Sequence, residues 1–290
     1  MTYRGTDSKE ASSELAIRQV KAGGSDGPDV SNGANTTHTK LFLSGTAVAN
    51  GTLDLLDKGV SIYEVIVDQT GQWTQMISDQ TRGHHTYTVK DKTDGQSSSP
   101  WTLRIIAPLV MDIRAAELAG LFIRHVDRAV IEPPEGTSMI RTPSAGEAPY
   151  RYRVSNASIV ELNAATGRIV SLRNGSTVVT VTDSAGQSAA YSVTVRNVSY
   201  IKDFGPERYD RQTMDVKAVE EGGVVPTLEQ WDSLRSVYDG DPGGYTDDYY
   251  WTSSTHPWGS RWLKNPVSGV TYGENDNGKV ACMGVLLPAN

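Results

Sequence analysis

Apolar and polar residues alternate in many short stretches of the first two thirds of the chain. The segment 85–90 alternates cleanly, with Tyr87 and Val89 on one face, and the segments 150–155 and 191–196 follow the same pattern. Strict alternation is typical of strands that bury one face. Because turns rich in Gly, Asn and Asp separate these stretches, the pattern predicts antiparallel β-sandwiches. Within these first two thirds, only the segment 111–121 is predicted to be locally helical.

The last third of the chain breaks this alternation. Pro226 bars an earlier helix start, Thr227 is a suitable N-cap, and Gln230 completes a capping-box pattern. The apolar positions that follow at helical spacing are Leu228, Trp231, Leu234 and Val237. Glycines from Gly240 onward end the helix, and a long loop with short terminal strands follows. The last third is therefore predicted to be α+β.

Aromatic residues are concentrated in this last third. Residues 224–287 hold five of the 13 Tyr and four of the 6 Trp. The His-Pro-Trp-Gly-Ser-Arg-Trp loop contains Trp258, Arg261 and Trp262. Trp and Arg are among the residue types that dominate binding hot spots. Trp251 is predicted to be a buried core anchor instead. These loop residues are the first candidates for ligand contact.

Composition narrows the classes of function. A net charge of −7 and a pI near 5.3 argue against a nucleic-acid-binding protein, which needs a basic patch. No apolar run approaches the roughly 18 residues that span a bilayer. The single cysteine excludes an intrachain disulfide, and Cys282 lies in an apolar pattern that predicts a core position.

Motifs for catalysis or for cofactor binding are not found. The adjacent His84 and His85 point to opposite faces of a strand and cannot share a metal ion. The acidic segments 239–248 and 274–278 suggest calcium ligands but lack the spacing of an EF-hand, so ordinary acidic turns are the main interpretation. We predict a chain without enzymatic activity, with no catalytic residue, no cofactor and no metal.

Three short motifs near the C-terminus resemble a known family. They are Val-Pro-Thr at 225–227, Tyr-Trp-Thr-Ser-Ser at 250–254 and Val-Ala-Cys at 280–282. Together they resemble the C-type-lectin-like domain of intimin/invasin-type bacterial adhesins, over residues 197–290. The segment 207–221 matches the first helix of that family. The chain departs from vertebrate lectins because it has one cysteine and no Glu-Pro-Asn motif.

The earlier segments resemble bacterial immunoglobulin-like repeats. The match covers residues 14–108, and residues 109–196 are similar to the group 2 repeat through the segments 154–160, 165–170 and 175–182. The resemblance implies a mainly β chain: two immunoglobulin-like β-sandwiches in tandem, followed by an α+β C-type-lectin-like domain. Residues 1–13 are predicted to be a disordered terminus. The linker residues Val198, Tyr200 and Ile201 predict a rigid junction before the last domain.

The resemblance implies a fragment of a cell-surface adhesin of a Gram-negative bacterium, anchored by a part absent from this chain. Its lectin-like tip is expected to bind a receptor protein or a glycan on a host or neighbouring cell, as a monomer and without inserting into the membrane. In the family the long loops gather on one side. The ligand-binding residues implied are Asp247, Asp248, Tyr249, Trp258, Arg261, Trp262, Asn275, Asp276 and Asn277.

Two alternatives remain. The chain is a structural stalk end without a ligand, or an enzyme of the formylglycine-generating type, which shares the lectin-like fold. That enzyme class needs paired cysteines or a metal-bound equivalent, which the lone Cys282 does not supply.

Overall fold

The structure of the chain, a computed structural model, describes most of its length. The described residues are 14–125, 130, 132–238, 240, 245, 247–274 and 281–289. The predicted disordered terminus, residues 1–13, lies outside them. The chain divides into two compact units, Met1–Pro108 with Ala145–Glu147 and Leu109–Ser144 with Ala148–Asn290.

The first unit is a β-sandwich of two sheets. Its strands are β1 (Ala16–Ala22), β2 (Asn35–Thr36), β3 (Leu41–Thr46), β4 (Thr52–Asp57), β5 (Val60–Ile66), β6 (Gln72–Ile77), β7 (Gly83–Asp91) and β8 (Trp101–Ile105). One sheet has the order β1-β3-β6 and the other β2-β8-β7-β4-β5. The inward-facing residues form one core that includes Trp73, whose indole N–H donates to the Thr46 carbonyl over 3.3 Å. Trp73 is therefore a packing residue.

The two adjacent histidines of β7 lie in different environments. His84 is exposed, whereas His85 is buried and stacks on the Tyr87 ring with centroids 5.6 Å apart. The Nδ1 of His85 lies 2.8 Å from Oδ2 of Asp57, and its Nε2 lies 2.8 Å from the Thr81 carbonyl oxygen. His85 thus ties β7 to β4 inside the sandwich.

The second unit begins with another sandwich. Its strands are β9 (Ala116–Leu118), β10 (Phe122–His125), β11 (Ser138–Ile140), β12 (Arg151–Val154), β13 (Val160–Leu162), β14 (Arg168–Ser171), β15 (Gly175–Thr182) and β16 (Ser188–Val195). One sheet has the order β12-β15-β16-β9 and the facing sheet β11-β14-β13. The prediction of a local helix at 111–121 is wrong. Strand β9 pairs in parallel with β16 and buries Leu118, and this long-range pairing outweighs the weak local preference for a helix.

The rest of the second unit is α+β. Its elements are β17 (Val198–Asp203), α1 (Arg211–Glu220), α2 (Leu228–Val237), β18 (Tyr250–Thr255), β19 (Arg261–Lys264), β20 (Thr271–Glu274) and β21 (Gly284–Pro288). The capping box of α2 forms as predicted, with bonds of 3.1 Å from Gln230 N–H to Thr227 Oγ1 and 2.8 Å from Thr227 N–H to Gln230 Oε1. Helix α2 buries Trp231, Leu234 and Val237. Within the described residues, no helix is long and apolar enough to cross a bilayer.

The linker between the sandwich and the α+β part is itself a strand. Strand β17 pairs in parallel with β10 and antiparallel with β21, so one sheet contains strands from both parts. Val198 and Ile201 are buried in a core that also contains Phe122 and Trp231. The apolar linker residues are therefore packed, in agreement with the predicted rigid junction.

Asp203 is the last residue of β17, and the protonation of its carboxyl affects the stability of the fold. Burial raises the pKa of its carboxyl above the ordinary value, although hydrogen bonds from the Gly205 N–H and the Tyr250 hydroxyl, and the nearby His125, act in the opposite direction. The folded chain therefore holds this proton more tightly than the unfolded chain does. The resulting stabilisation is complete below the unfolded pKa of about 3.9 and is lost as the pH rises through the folded value.

We therefore expect the Asp203→Asn variant to melt at the same temperature as the parent, or at a higher one, at about pH 7, because asparagine stays uncharged. The difference should disappear at about pH 3, where both side chains are neutral. Thermal unfolding followed by circular dichroism across this pH range measures it. A variant that melts well below the parent at neutral pH contradicts the prediction.

Candidate functional site

The connection between β18 and β19 is a closed turn. The His256 N–H donates to the Ser260 carbonyl over 2.8 Å, and the Gly259 N–H donates to the His256 carbonyl over 2.9 Å. Gly259 has a φ of 85°, in the left-handed region that glycine adopts without strain. The turn therefore presents Trp258 from a hydrogen-bonded backbone.

Three aromatic rings are grouped at this turn. The His256 ring centroid lies 5.1 Å from that of Trp258 and 4.4 Å from that of Trp262, in edge-on arrangements. The imidazole rests on Gly273, where a Cβ atom would come within 2.6 Å of the ring. The Trp258 N–H also donates to His256 Nδ1 over 3.3 Å. We call His256, Trp258 and Trp262 the aromatic turn.

Trp258 is the most exposed large apolar side chain among the described residues, at 90% of its full accessible area. Covering a side chain of this size is worth roughly 2–3 kcal/mol. Because its backbone is held by the turn, little conformational entropy is lost when a partner covers it. An exposed and preorganised Trp is characteristic of a binding hot spot.

The sheet β18-β19-β20 separates the predicted site residues onto two faces. Trp262 pairs with Gly273, whereas Arg261 pairs with Glu274 and Leu263 with Tyr272. Since neighbouring side chains of a strand alternate, Trp262 lies on one face and Arg261 on the other, together with Tyr272. The guanidinium of Arg261 donates to the Ser253 carbonyl oxygen. Arg261 therefore braces the strand pair and does not join the aromatic turn.

The acidic residues of the predicted site hold internal hydrogen bonds. Oδ1 of Asp247 accepts from the Asn265 amide over 2.9 Å, and Oδ2 of Asp248 lies 2.6 Å from Nη2 of Arg208. The ring centroid of Tyr249 lies 6.0 Å from that of Tyr272, which is 53% exposed. These contacts order the segment 247–249 on the approach to β18.

Three of the predicted site residues, Asn275, Asp276 and Asn277, lie outside the described residues. Parts of the acidic segments considered for calcium lie outside them as well. In the part of the chain that the structure describes, no three His, Cys, Asp or Glu side chains come together to hold a metal ion.

Trp251 and Cys282 are core residues, as the sequence indicates. Both are fully buried, and the indole N–H of Trp251 donates to the Tyr209 carbonyl over 2.8 Å. The Trp251 carbonyl accepts from the indole of Trp231 over 3.3 Å. The bond between the two tryptophans joins α2 to β18. Cys282 is buried in the same unit, where a reactive thiol would lack access to solvent.

Two residues of this region are missed by sequence reasoning. They are His256, whose ring contacts those of Trp258 and Trp262, and Tyr272, whose ring contacts that of Tyr249. The spacing of His256, Trp258 and Trp262 within one short loop is the signal that points to a ring cluster. For Tyr272 the sequence carries no such signal.

No family model matches this sequence, and no curated protein matches it. Among solved structures, the chain is similar to the C-terminal 282-residue fragment of intimin, determined in complex with the intimin-binding domain of the translocated intimin receptor. The match covers 93% of this chain and 99% of that one, at 14% identity and a TM-score of 0.53. This chain has the fold of the intimin fragment. At this identity the likeness shows the fold alone.

Two further structures show weaker likeness. Invasin, a bacterial integrin-binding protein, is 13% identical over 87% of this chain and 57% of its own, with a TM-score of 0.41. The adhesin InvE of Yersinia pseudotuberculosis is 13% identical over 88% of this chain and 95% of its own, with a TM-score of 0.31. The fold assignment therefore depends on the intimin fragment. The predicted fold class, two immunoglobulin-like sandwiches followed by a lectin-like domain, is confirmed.

Proposed function

We propose that this chain is the receptor-binding part of a bacterial cell-surface adhesin, and that the aromatic turn contacts the receptor. In this proposal the sandwiches 14–108 and 109–196 present the lectin-like domain 197–290 at the surface of a Gram-negative cell. The observation that carries it is Trp258, which is 90% exposed on a hydrogen-bonded turn. The shared fold with an intimin fragment that was solved with its receptor domain supports it.

The bonding of the polar residues favours a protein receptor over a glycan. A sugar is usually held by side chains that hydrogen-bond its hydroxyl groups, in addition to a stacking ring. The best candidates, Arg261, Asp247 and Asp248, already hold internal hydrogen bonds. The aromatic turn therefore offers mainly apolar and aromatic surface, which suits a protein side chain inserted between the rings.

Replacing Trp258 with alanine is expected to weaken receptor binding about 30-fold or more, which corresponds to about 2 kcal/mol. The melting temperature should not change, because the side chain is exposed. The measurement is the binding of the fluorescently labelled chain to cultured mammalian cells. Cells treated with protease or with glycosidases distinguish a protein receptor from a glycan.

Two control variants make the test specific. Val219→Ala removes an exposed apolar side chain from α1 and should leave binding intact. Tyr272→Ala probes the opposite face of the sheet. Loss of binding in Tyr272→Ala with full binding in Trp258→Ala moves the site to that face. A chain that binds no cells supports a structural stalk end instead.

A further inference from the structure

A pair of arginines stands on the outer face of the second sandwich, in a different sheet from the aromatic turn. Arg151 and Arg153 lie in β12, the edge strand of the sheet β12-β15-β16-β9. Both side chains are exposed, and because strand residues alternate, both project from the same face with Cα atoms roughly 7 Å apart. Within the described part of the chain, neither guanidinium has a hydrogen-bond or ion-pair partner.

Two surface grooves meet at this arginine pair. Their volumes are about 470 and 460 Å3, and each includes both Arg151 and Arg153 in its lining. The first groove continues along Tyr150 and Ala164. The second continues along Val178 and Thr180. Arg151 and Arg153 therefore contribute to both grooves.

The remaining lining is suited to an oligosaccharide. Arg151 lies opposite Thr182 and Arg153 opposite Thr180 in the β12–β15 ladder, so a hydroxyl group stands across from each arginine. Tyr150 is half-buried and Val178 is 41% exposed, so each adds surface on which the apolar face of a sugar ring can lie. Positive charge, hydroxyl groups and small apolar surfaces alternate along the grooves.

The edge of β12 is not open to an added peptide strand at this point. The Tyr152 N–H donates to the Ala164 carbonyl over 3.0 Å, which uses the outward backbone donor between the two arginines. Addition of a strand needs such a donor to be free. Recognition at this surface therefore depends on side chains, which disfavours an acidic peptide bound as an extra strand.

We propose that Arg151 and Arg153 bind a linear anionic polysaccharide through its carboxylate or sulfate groups. The planar guanidinium pairs with such groups through two parallel hydrogen bonds, which a lysine cannot reproduce. The chain as a whole carries a net charge of −7, so the attraction comes from this local pair and not from the overall charge. The site is independent of the aromatic turn and of the receptor bound there.

The test uses the full chain with heparin oligosaccharides and hyaluronan oligosaccharides as probes, by isothermal titration calorimetry in about 0.15 M salt. The double variant R151Q/R153Q should bind at least about tenfold more weakly than the parent. The variant R151K/R153K keeps both charges and should show an intermediate loss. The control R173Q removes one positive charge from another exposed arginine of the same unit, outside the two grooves, and should bind as the parent does.

Specific outcomes overturn the proposal. A parent chain that binds neither oligosaccharide overturns it, as does equal weakening in R173Q, which indicates unspecific charge attraction. Tighter binding of poly-L-glutamate than of either oligosaccharide assigns the surface to acidic peptides instead. Melting temperatures of all variants verify folding. If R151Q/R153Q does not fold, R151K/R153K provides the test. Binding of that variant equal to the parent's then excludes a role for guanidinium geometry and overturns the proposal.

Discussion

Replacing Trp251 with alanine is expected to destabilise the second unit by about 3–5 kcal/mol. The side chain is fully buried in the core of the α+β part, beside Leu263 and Met283. Its removal leaves a cavity and also leaves the Tyr209 carbonyl without the indole N–H that it accepts over 2.8 Å. Urea unfolding followed by far-ultraviolet circular dichroism measures the change in the free energy of unfolding.

Trp258→Ala is the matched control, since it makes the same chemical change in the same domain. Its effect on the free energy of unfolding is expected to stay within about 0.5 kcal/mol, because the side chain is exposed. The two substitutions should therefore have different effects: Trp251→Ala lowers the stability of the second unit, and Trp258→Ala weakens receptor binding. Equal destabilisation by both substitutions would show that the aromatic turn is part of the core.

Replacing His85 with leucine is expected to destabilise the first unit by about 3 kcal/mol. The substitution removes the ring that bonds Asp57 and the Thr81 carbonyl, each over 2.8 Å. The Asp57 carboxylate keeps the bond from the Thr86 N–H over 3.0 Å but loses its partner in the protein interior. Leucine fills much of the volume, so the cost comes mainly from the unpaired polar groups.

Hydrogen–deuterium exchange of the full chain localises this effect. Exchange should rise in β4 and β7 of the first unit and stay unchanged in α2 and β18 of the second. His84→Leu is the control, because His84 is the exposed neighbour of His85 in the same strand. If His84→Leu raises exchange as much as His85→Leu does, the buried hydrogen bonds are not the cause.

The proposed binding surface depends on contacts at two levels. The aromatic turn is shaped locally, by the hydrogen bonds of residues 256–260 and by glycine at Gly259. Its orientation depends on the strand pairing of β19 with β20, which brings Gly273 under the His256 ring. A larger residue at Gly273 would displace the imidazole and with it the support of both indoles. The turn is thus a feature of the sheet as much as of its own loop.

Short sequence patterns are enough to predict the local features of this protein. The alternation of apolar and polar residues located strands such as β7 and β16, because a strand that buries one face repeats every two residues. Thr227 and Gln230 located the start of α2, because a capping box requires only residues three positions apart. The apolar surroundings of Cys282 indicated its burial in the same way.

Which segments are neighbours, and which face of a strand is covered, became evident only from the folded chain. The parallel pairing of β9 with β16 converted an ambiguous segment into a strand, although its local pattern favoured a helix. The pairing of β19 with β20 placed Trp262 beside His256. Arg261, the neighbour of Trp262 in the sequence, lies on the opposite face. Short-range patterns encode periodicity and capping. Neighbours and covered faces result from contacts between residues far apart in the chain, which no local pattern specifies.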